Sequence, residues 1–236
     1  MAKLPSQKDL EKLPLRAIVA YAARNARRVQ PLFQEASGIK DHNFYSLCLN
    51  ANIRFTLRWV NGESVNVNNL TDSVFITSTA ADAAIASGTE AAGFAANTAN
   101  FASGYIIDAD GIKSKAVFNA CFSVECANSA AYNAGDYAKT PIFSFTSRTE
   151  KFVAIVTRTA RFVIEYVDNI ITSNRPAIND YQKLLSMNLS EEDAIDASEN
   201  GPLGPYWPKG KEPDWYKELY PKMQALLDEP DEEIWE

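Results

Sequence analysis

The sequence is short of the residues that most often carry chemistry. Among 236 residues there is one histidine, His42, and there are three cysteines, Cys48, Cys121 and Cys126. Zinc needs several His, Cys or carboxylate ligands converging on one point, and neither a histidine beside Asp41 nor a C-x4-C pair on a helical segment supplies them. The same shortage excludes the Glu-x-x-His pairs of a carboxylate di-metal bundle. A Ser-His-Asp triad would rest on a single imidazole. The cysteines, odd in number, read as small buried hydrophobes rather than as a disulfide framework. No metal, no other cofactor and no catalytic residues are expected.

Long apolar runs are lacking as well. The stretch TAADAAIASGTEAAGFAANTAN, from Thr79 to Asn100, is interrupted by Asp82, Glu90, Asn97 and Asn100, whereas a membrane span needs about 18 uninterrupted apolar residues. No apolar segment of the signal-peptide type stands near the N-terminus. The expectation is a soluble protein of a reducing, cytoplasmic compartment, in which the sequons at Asn69-Leu70-Thr71 and Asn188-Leu189-Ser190 are chance matches. Gly88 and Gly93 have the spacing of a phosphate loop, but Phe94 and Ala95 stand where Lys and Ser/Thr are required. Asp108-Ala109-Asp110-Gly111 has its glycine at the wrong offset for a calcium loop, with Lys113 and Lys115 in place of further oxygen ligands. It reads as a turn.

What is present is charge, unevenly placed. The net charge is −7. Residues 1–39 hold seven Lys/Arg against three Asp/Glu, while residues 190–236 hold four against fourteen. An acidic chain of this kind is a poor general binder of nucleic acid, which needs a concentrated basic surface.

Helical periodicity organises most of the chain. In LPLRAIVAYAARNARRVQPLF, Pro14 suits a first helical position and Pro31 an end. Leu15, Ile18, Val19, Ala22, Ala26 and Val29 share one face, with Lys12, Arg16, Arg24, Arg27 and Arg28 spread over the other. A second helix is predicted from Asp41 to Val60, stopping at Asn61-Gly62. A third, long one runs from Asn68 or Asn69 to Ile107, with Gly88, Gly93 or Ser103-Gly104 as points of kinking. The small residues Ala80, Ala84, Gly88, Ala91, Ala95, Ala99 and Ala102 recur at three- and four-residue spacing, a stripe that lets a neighbouring helix approach closely while Ile85, Phe94, Phe101 and Tyr105 fill the remainder. Residues 112–139 form a fourth helix ended by Pro141, and residues 144–172 a fifth, with Phe152, Ile155, Val156, Ala160, Val163 and Val167 on one face. A short helix follows near Ile178–Met187.

The segment SENGPLGPYWPKGKEPDWY is of different character. Four prolines and three glycines between Gly201 and Pro213 exclude regular helix or sheet. It reads as an extended strap, followed by a broken helix interrupted at Pro221 and an acidic terminus expected to be poorly ordered. The predicted architecture is all-α: a single-domain bundle of about five long helices over residues 1–200, with the strap and acidic tail of residues 201–236 packed on the same domain.

On these residues the chain resembles a group of uncharacterised bacterial helical proteins of the planctomycete type. They share an LPLRA-(I/L)-VAYA-A-R-x-ARRVQPL run, an Ala-rich middle, and a late D-(Y/F)-x-KLL followed by SENGPLGP-x-WP and DWY. Here these are Leu13 to Leu32, the 79–138 region, Asp180 to Leu185, Ser198 to Pro208 and Asp214 to Tyr216. The middle is also similar in composition to immunity proteins of bacterial toxin systems. The first resemblance implies an all-α fold and transfers no reaction; the second implies a protein partner.

Two surfaces stand out for binding a partner: Arg16, Arg24, Arg27 and Arg28 on the first helix, and Tyr206, Trp207, Trp215 and Tyr216 in and after the strap. For the arginines the alternatives are a solvated face and neutralisation by the acidic tail; for the aromatics, docking into grooves of the bundle itself. The reading is a non-enzymatic protein-interaction protein, an immunity or accessory component of a bacterial toxin or phage-defence locus. The alternatives are an enzyme of unfamiliar type with a site between the helices, and a nucleic-acid-binding bundle using the basic face of the first helix.

Overall fold

The computed structural model describes residues 4–35, 38–87, 89–107, 113–137 and 174–227, and all regular structure among them is helical. The all-α bundle is therefore observed. The predicted turn at 108–111, the Gly88 kink, Pro141, the 144–172 helix and the acidic terminus lie outside the described residues.

Helix α1 (Gln7–Leu10) is one turn closed by a capping box, in which the Asp9 amide donates to the Ser6 hydroxyl and the Ser6 amide to the Asp9 carboxylate. Helix α2 (Leu15–Val29) begins one residue later than expected, with Pro14 as an N-cap that has no side chain to offer. The chain then tightens into a 3-10 turn, Gln30–Glu35, that contains Pro31. Helix α3 (His42–Val60) stops at Asn61, where the left-handed Gly62 turns the chain away (φ +83).

The long helix expected to start at Asn68 or Asn69 is instead two helices. Helix α4 (Val67–Ala86) starts under Asn66, whose side chain accepts from the Asn68 and Asn69 amides at 3.0 and 3.4 Å. At its end the Thr89 amide donates to Ala84 O (2.9 Å), the bond that closes a Schellman turn, and the chain reverses into α5 (Glu90–Ile107). The two helices lie antiparallel. A Cβ at Gly93 would overlap Ile85 Cγ1, and further along Asn100 pairs with α4 across the interface, donating to Val74 O at 3.2 Å and accepting from Ser78 N at 3.1 Å once its amide is oriented to satisfy both. The stripe of small residues is used for packing: Ala80, Ala84, Ala99 and Ala102 are buried in the main core, and Ala95 is buried in a second cluster with Val29, Leu32 and Ala127. Ile85, expected as filler, is 43% exposed and covers Gly93 from the rim.

Helix α6 (Lys113–Tyr137) returns along α5. Its Ser123 hydroxyl, 3.2 Å from both Ala22 O and Thr98 O, ties it to α2 and α5. Residues 174–186 form α7, and α8 (Asp214–Leu227) passes through Pro221 unbroken. An internal proline removes one amide and costs about 3 kcal/mol; Tyr216, Leu219 and Met223, buried on both sides of Pro221, hold the helix against the bundle.

Helix α2 is the axis of the molecule. Every residue from Ala17 to Ala26 is buried, arginine included. The sequence had suggested an amphipathic helix with a solvated basic face. The periodicity is real, but α3, α5 and α6 cover its apolar side while α7 and the strap cover the other.

Candidate functional site

The strap, together with residues 191–200 that lead into it, runs beside α2 in the same direction. At the start, the uncapped α2 receives a carboxylate from far along the chain: the Leu15 amide donates to Glu191 Oε2 at 2.7 Å, and Lys113 lies 3.1 Å from the other oxygen. The Arg16 guanidinium donates to Glu192 O (2.9 Å) and rests 5.6 Å from the centre of the Trp59 ring. The Ile195 amide donates to Val60 O (3.0 Å), stitching the strap to the end of α3.

The Leu15 amide, and secondarily Lys113, hold the Glu191 carboxyl below its ordinary 4.5. A depressed carboxyl pKa stabilises the fold above the unfolded value, and this contribution is lost as pH falls through the lower folded value. Glu191→Gln should therefore flatten the acid limb of the stability profile below about pH 4.5. The site is mostly exposed, so solvent screening limits the effect to about 0.5 kcal/mol, read by urea denaturation against pH.

Further along, two arginines and one aspartate form a buried cluster. Asp180, on α7, accepts through one oxygen from Arg24 Nε at 2.7 Å and from Arg28 Nη2. Arg24 is fully buried and Arg28 is 2% exposed. One carboxylate cannot neutralise two guanidiniums, and the strap supplies the rest as backbone oxygens. Arg24 Nη1 donates to Ala197 O (2.9 Å) and Ser198 O (3.1 Å), and Nη2 to Gly204 O (2.8 Å) and Pro205 O (3.0 Å). Arg28 Nε donates to Tyr206 O at 2.7 Å and its Nη1 to Asn25 Oδ1 at 2.9 Å. The Tyr206 ring closes over Arg24, 4.8 Å from its guanidinium carbon. Burial lowers the pKa of Arg28 and Asp180 opposes it. Five main-chain carbonyls and one aromatic face thus replace the water that two arginines would otherwise hold.

The glycines and prolines of the strap follow from this geometry. A Cβ at Gly201 would overlap the Asp196 carbonyl, and Gly204, at φ +75, lets Leu203 O accept from Lys183 (2.6 Å) while its own carbonyl turns to Arg24. Prolines donate no amide, so the segment keeps its carbonyls for the arginines. Beyond Pro205, Tyr206 and Trp207 are buried, with Trp207 edge-on to Trp215 at 6.1 Å and to Tyr216 at 5.8 Å. Tyr216 and Tyr220 stack at 4.7 Å, and their hydroxyls donate to the two oxygens of Glu199 at 3.3 and 3.0 Å. Burial, followed by Glu199, pushes the Tyr220 hydroxyl up to about 12. Among the described residues Tyr21 Oη and Trp207 Nε1 are buried without a hydrogen-bond partner.

The residues expected at a partner surface are thus brought together, but inside the protein. Arg24, Arg28, Tyr206, Trp207 and Tyr216 are buried and turned toward one another, which removes them from any surface open to a partner. Arg16, Arg27 and Trp215 are half-buried; Arg27 donates to Gln30 Oε1 (2.6 Å) and Asn50 Oδ1 (3.3 Å). The counter-charge of Arg24 and Arg28 is Asp180 of α7. Sequence reasoning assigned no role to Asp180, although a trace was present: it lies inside the helical stripe Ala177, Tyr181, Leu184, where a lone carboxylate needs a cationic partner.

Among the described residues no three His, Cys, Asp or Glu side chains are grouped to hold a metal ion, and no helix is long and apolar enough to cross a membrane. Burial pushes the Cys48 and Cys126 thiols up to about 11. Comparison of the chain with protein-family models, with curated proteins and with solved structures finds no match.

Proposed function

We propose that the chain is a non-enzymatic protein-interaction protein of the bacterial cytoplasm, an immunity or accessory component of a toxin or phage-defence locus. The observation that supports it is the contrast between interior and surface. A bundle that buries two arginines leaves Phe75 of α4 73% exposed and Phe118 and Phe122 of α6 46% and 36% exposed. Phe118 and Phe122 lie together, their rings 4.5 Å apart, and exposed aromatic side chains mark protein-binding faces more often than catalytic ones. The resemblance to planctomycete-type helical proteins fits the same reading, because its two most specific motifs, the ARRVQPL run and SENGPLGP-x-WP, meet at the arginine cluster and read as the signature of a scaffold.

The nucleic-acid reading loses support from the same geometry, since two of its four arginines are buried and the other two donate to Glu192 O, Gln30 and Asn50 within the chain. The test is co-expression with the product of the adjacent gene in its own genome. Arrest of growth by that product, relieved by this chain and accompanied by a purified complex of the two, is the expected result. Undiminished arrest with no complex contradicts the proposal.

A further inference from the structure

Helix α6 carries a stripe of residues that are exposed. Among its described residues, apart from Ser114, the exposed ones are Lys115, Phe118, Phe122 and Glu125, spaced three, four and three apart. That spacing is the seam of a two-stranded coiled coil, and the four positions fall within one narrow arc of the helix. The opposite faces of α6 are already used: Ala116, Val117, Ala120, Val124 and Ala127 are buried in the bundle. The two seam phenylalanines are set as a pair, their rings 4.5 Å apart, with Phe101 of α5 placed 5.3 Å from Phe122 to widen the apolar patch.

The order of the stripe is cation, aromatic, aromatic, anion. It is complementary to itself when reversed. We infer that α6 pairs with α6 of a second copy of this chain, antiparallel about a two-fold axis level with residue 120. In that register Phe118 lies opposite Phe122 of the second copy, and Lys115 lies opposite Glu125 of the second copy, twice over. An isologous contact requires such self-complementarity, which a parallel arrangement of the same stripe lacks because it would set Lys against Lys and Glu against Glu. Lys115 also has an interaction within its own chain, so the charged ends select the register while the phenylalanines provide the contact area. The pairing stands apart from the defence reading and does not need a foreign partner.

Sedimentation velocity on the full chain over about 5–500 μM tests it. A single four-residue seam covers less than the ~1,200 Å² of a standard interface, so a dimer dissociating at roughly tens of micromolar is expected. Lys115→Glu alone and Glu125→Lys alone each place two like-charged pairs across the axis and should weaken the dimer by about tenfold or more. An equimolar mixture of the two variants, and the double variant in one chain, should each restore it, which no folding defect could mimic. A chain that is monomeric throughout the range, a dimer indifferent to both reversals, or a mixture no tighter than its components overturns the inference.

Discussion

Asp180→Ala should destabilise the protein by about 3–5 kcal/mol, the range for removing one partner of a buried ion pair. Arg24 and Arg28 would remain, 0% and 2% exposed, with no carboxylate between them. The loss should appear in urea denaturation as a lower midpoint with an unchanged slope. Asp180→Asn, which keeps an acceptor but not the charge, should fall between the two. Buried ion clusters in other settings can be replaced by apolar groups at little cost, but that escape is closed here. The guanidiniums also serve five strap carbonyls, and an apolar substitute for all three residues would leave those oxygens unpaired at about 1–3 kcal/mol each. The apolar triple variant should therefore be no more stable than Asp180→Ala.

How much of this was legible in the sequence depended on the range of the interactions concerned. Helices α3 and α6 could be placed within a residue or two, because periodicity and stops such as Asn61-Gly62 are local. The small residues from Ala80 to Ala102 were rightly assigned to helix packing. Their arrangement as an antiparallel pair was not foreseen: Gly88 was read as a point of kinking within one long helix, whereas α4 ends at Ala86 and the Thr89 amide closes back on Ala84 O. Helix α2 was legible in its pattern and misleading in its surroundings. Three arginines within five residues look solvated on a surface helix; two of them, Arg24 and Arg28, are covered because a strap more than 170 residues away in sequence turns its carbonyls inward. Asp180 and Glu191 escaped attention for the same reason. Each acts on a group near the other end of the chain, and a carboxylate's distant partner cannot be read from its neighbours. Docking of the strap on its own bundle was one of two readings the sequence left open, and the buried Tyr206 and Trp207 decide it.

Removing residues 201–236 should destabilise the native fold severely or abolish it. The truncated chain keeps Asp180, Ala197 and Ser198 but loses the Gly204, Pro205 and Tyr206 carbonyls that complete the shells of Arg24 and Arg28. It also loses Leu203, Tyr206, Trp207, Tyr216, Leu219 and Met223, all buried. At ~1.5–3 kcal/mol for each large apolar side chain, their burial is worth on the order of 10 kcal/mol before chain entropy is counted, comparable with the whole stability of a domain. Thermal unfolding of residues 1–200 beside the full chain, followed by circular dichroism, tests most directly whether the strap and the α2 arginines form one internal lock. A melting temperature lowered by about 20 °C or more, or the loss of a cooperative transition, is the predicted result; a truncated chain that melts cooperatively within a few degrees of the full one would contradict it.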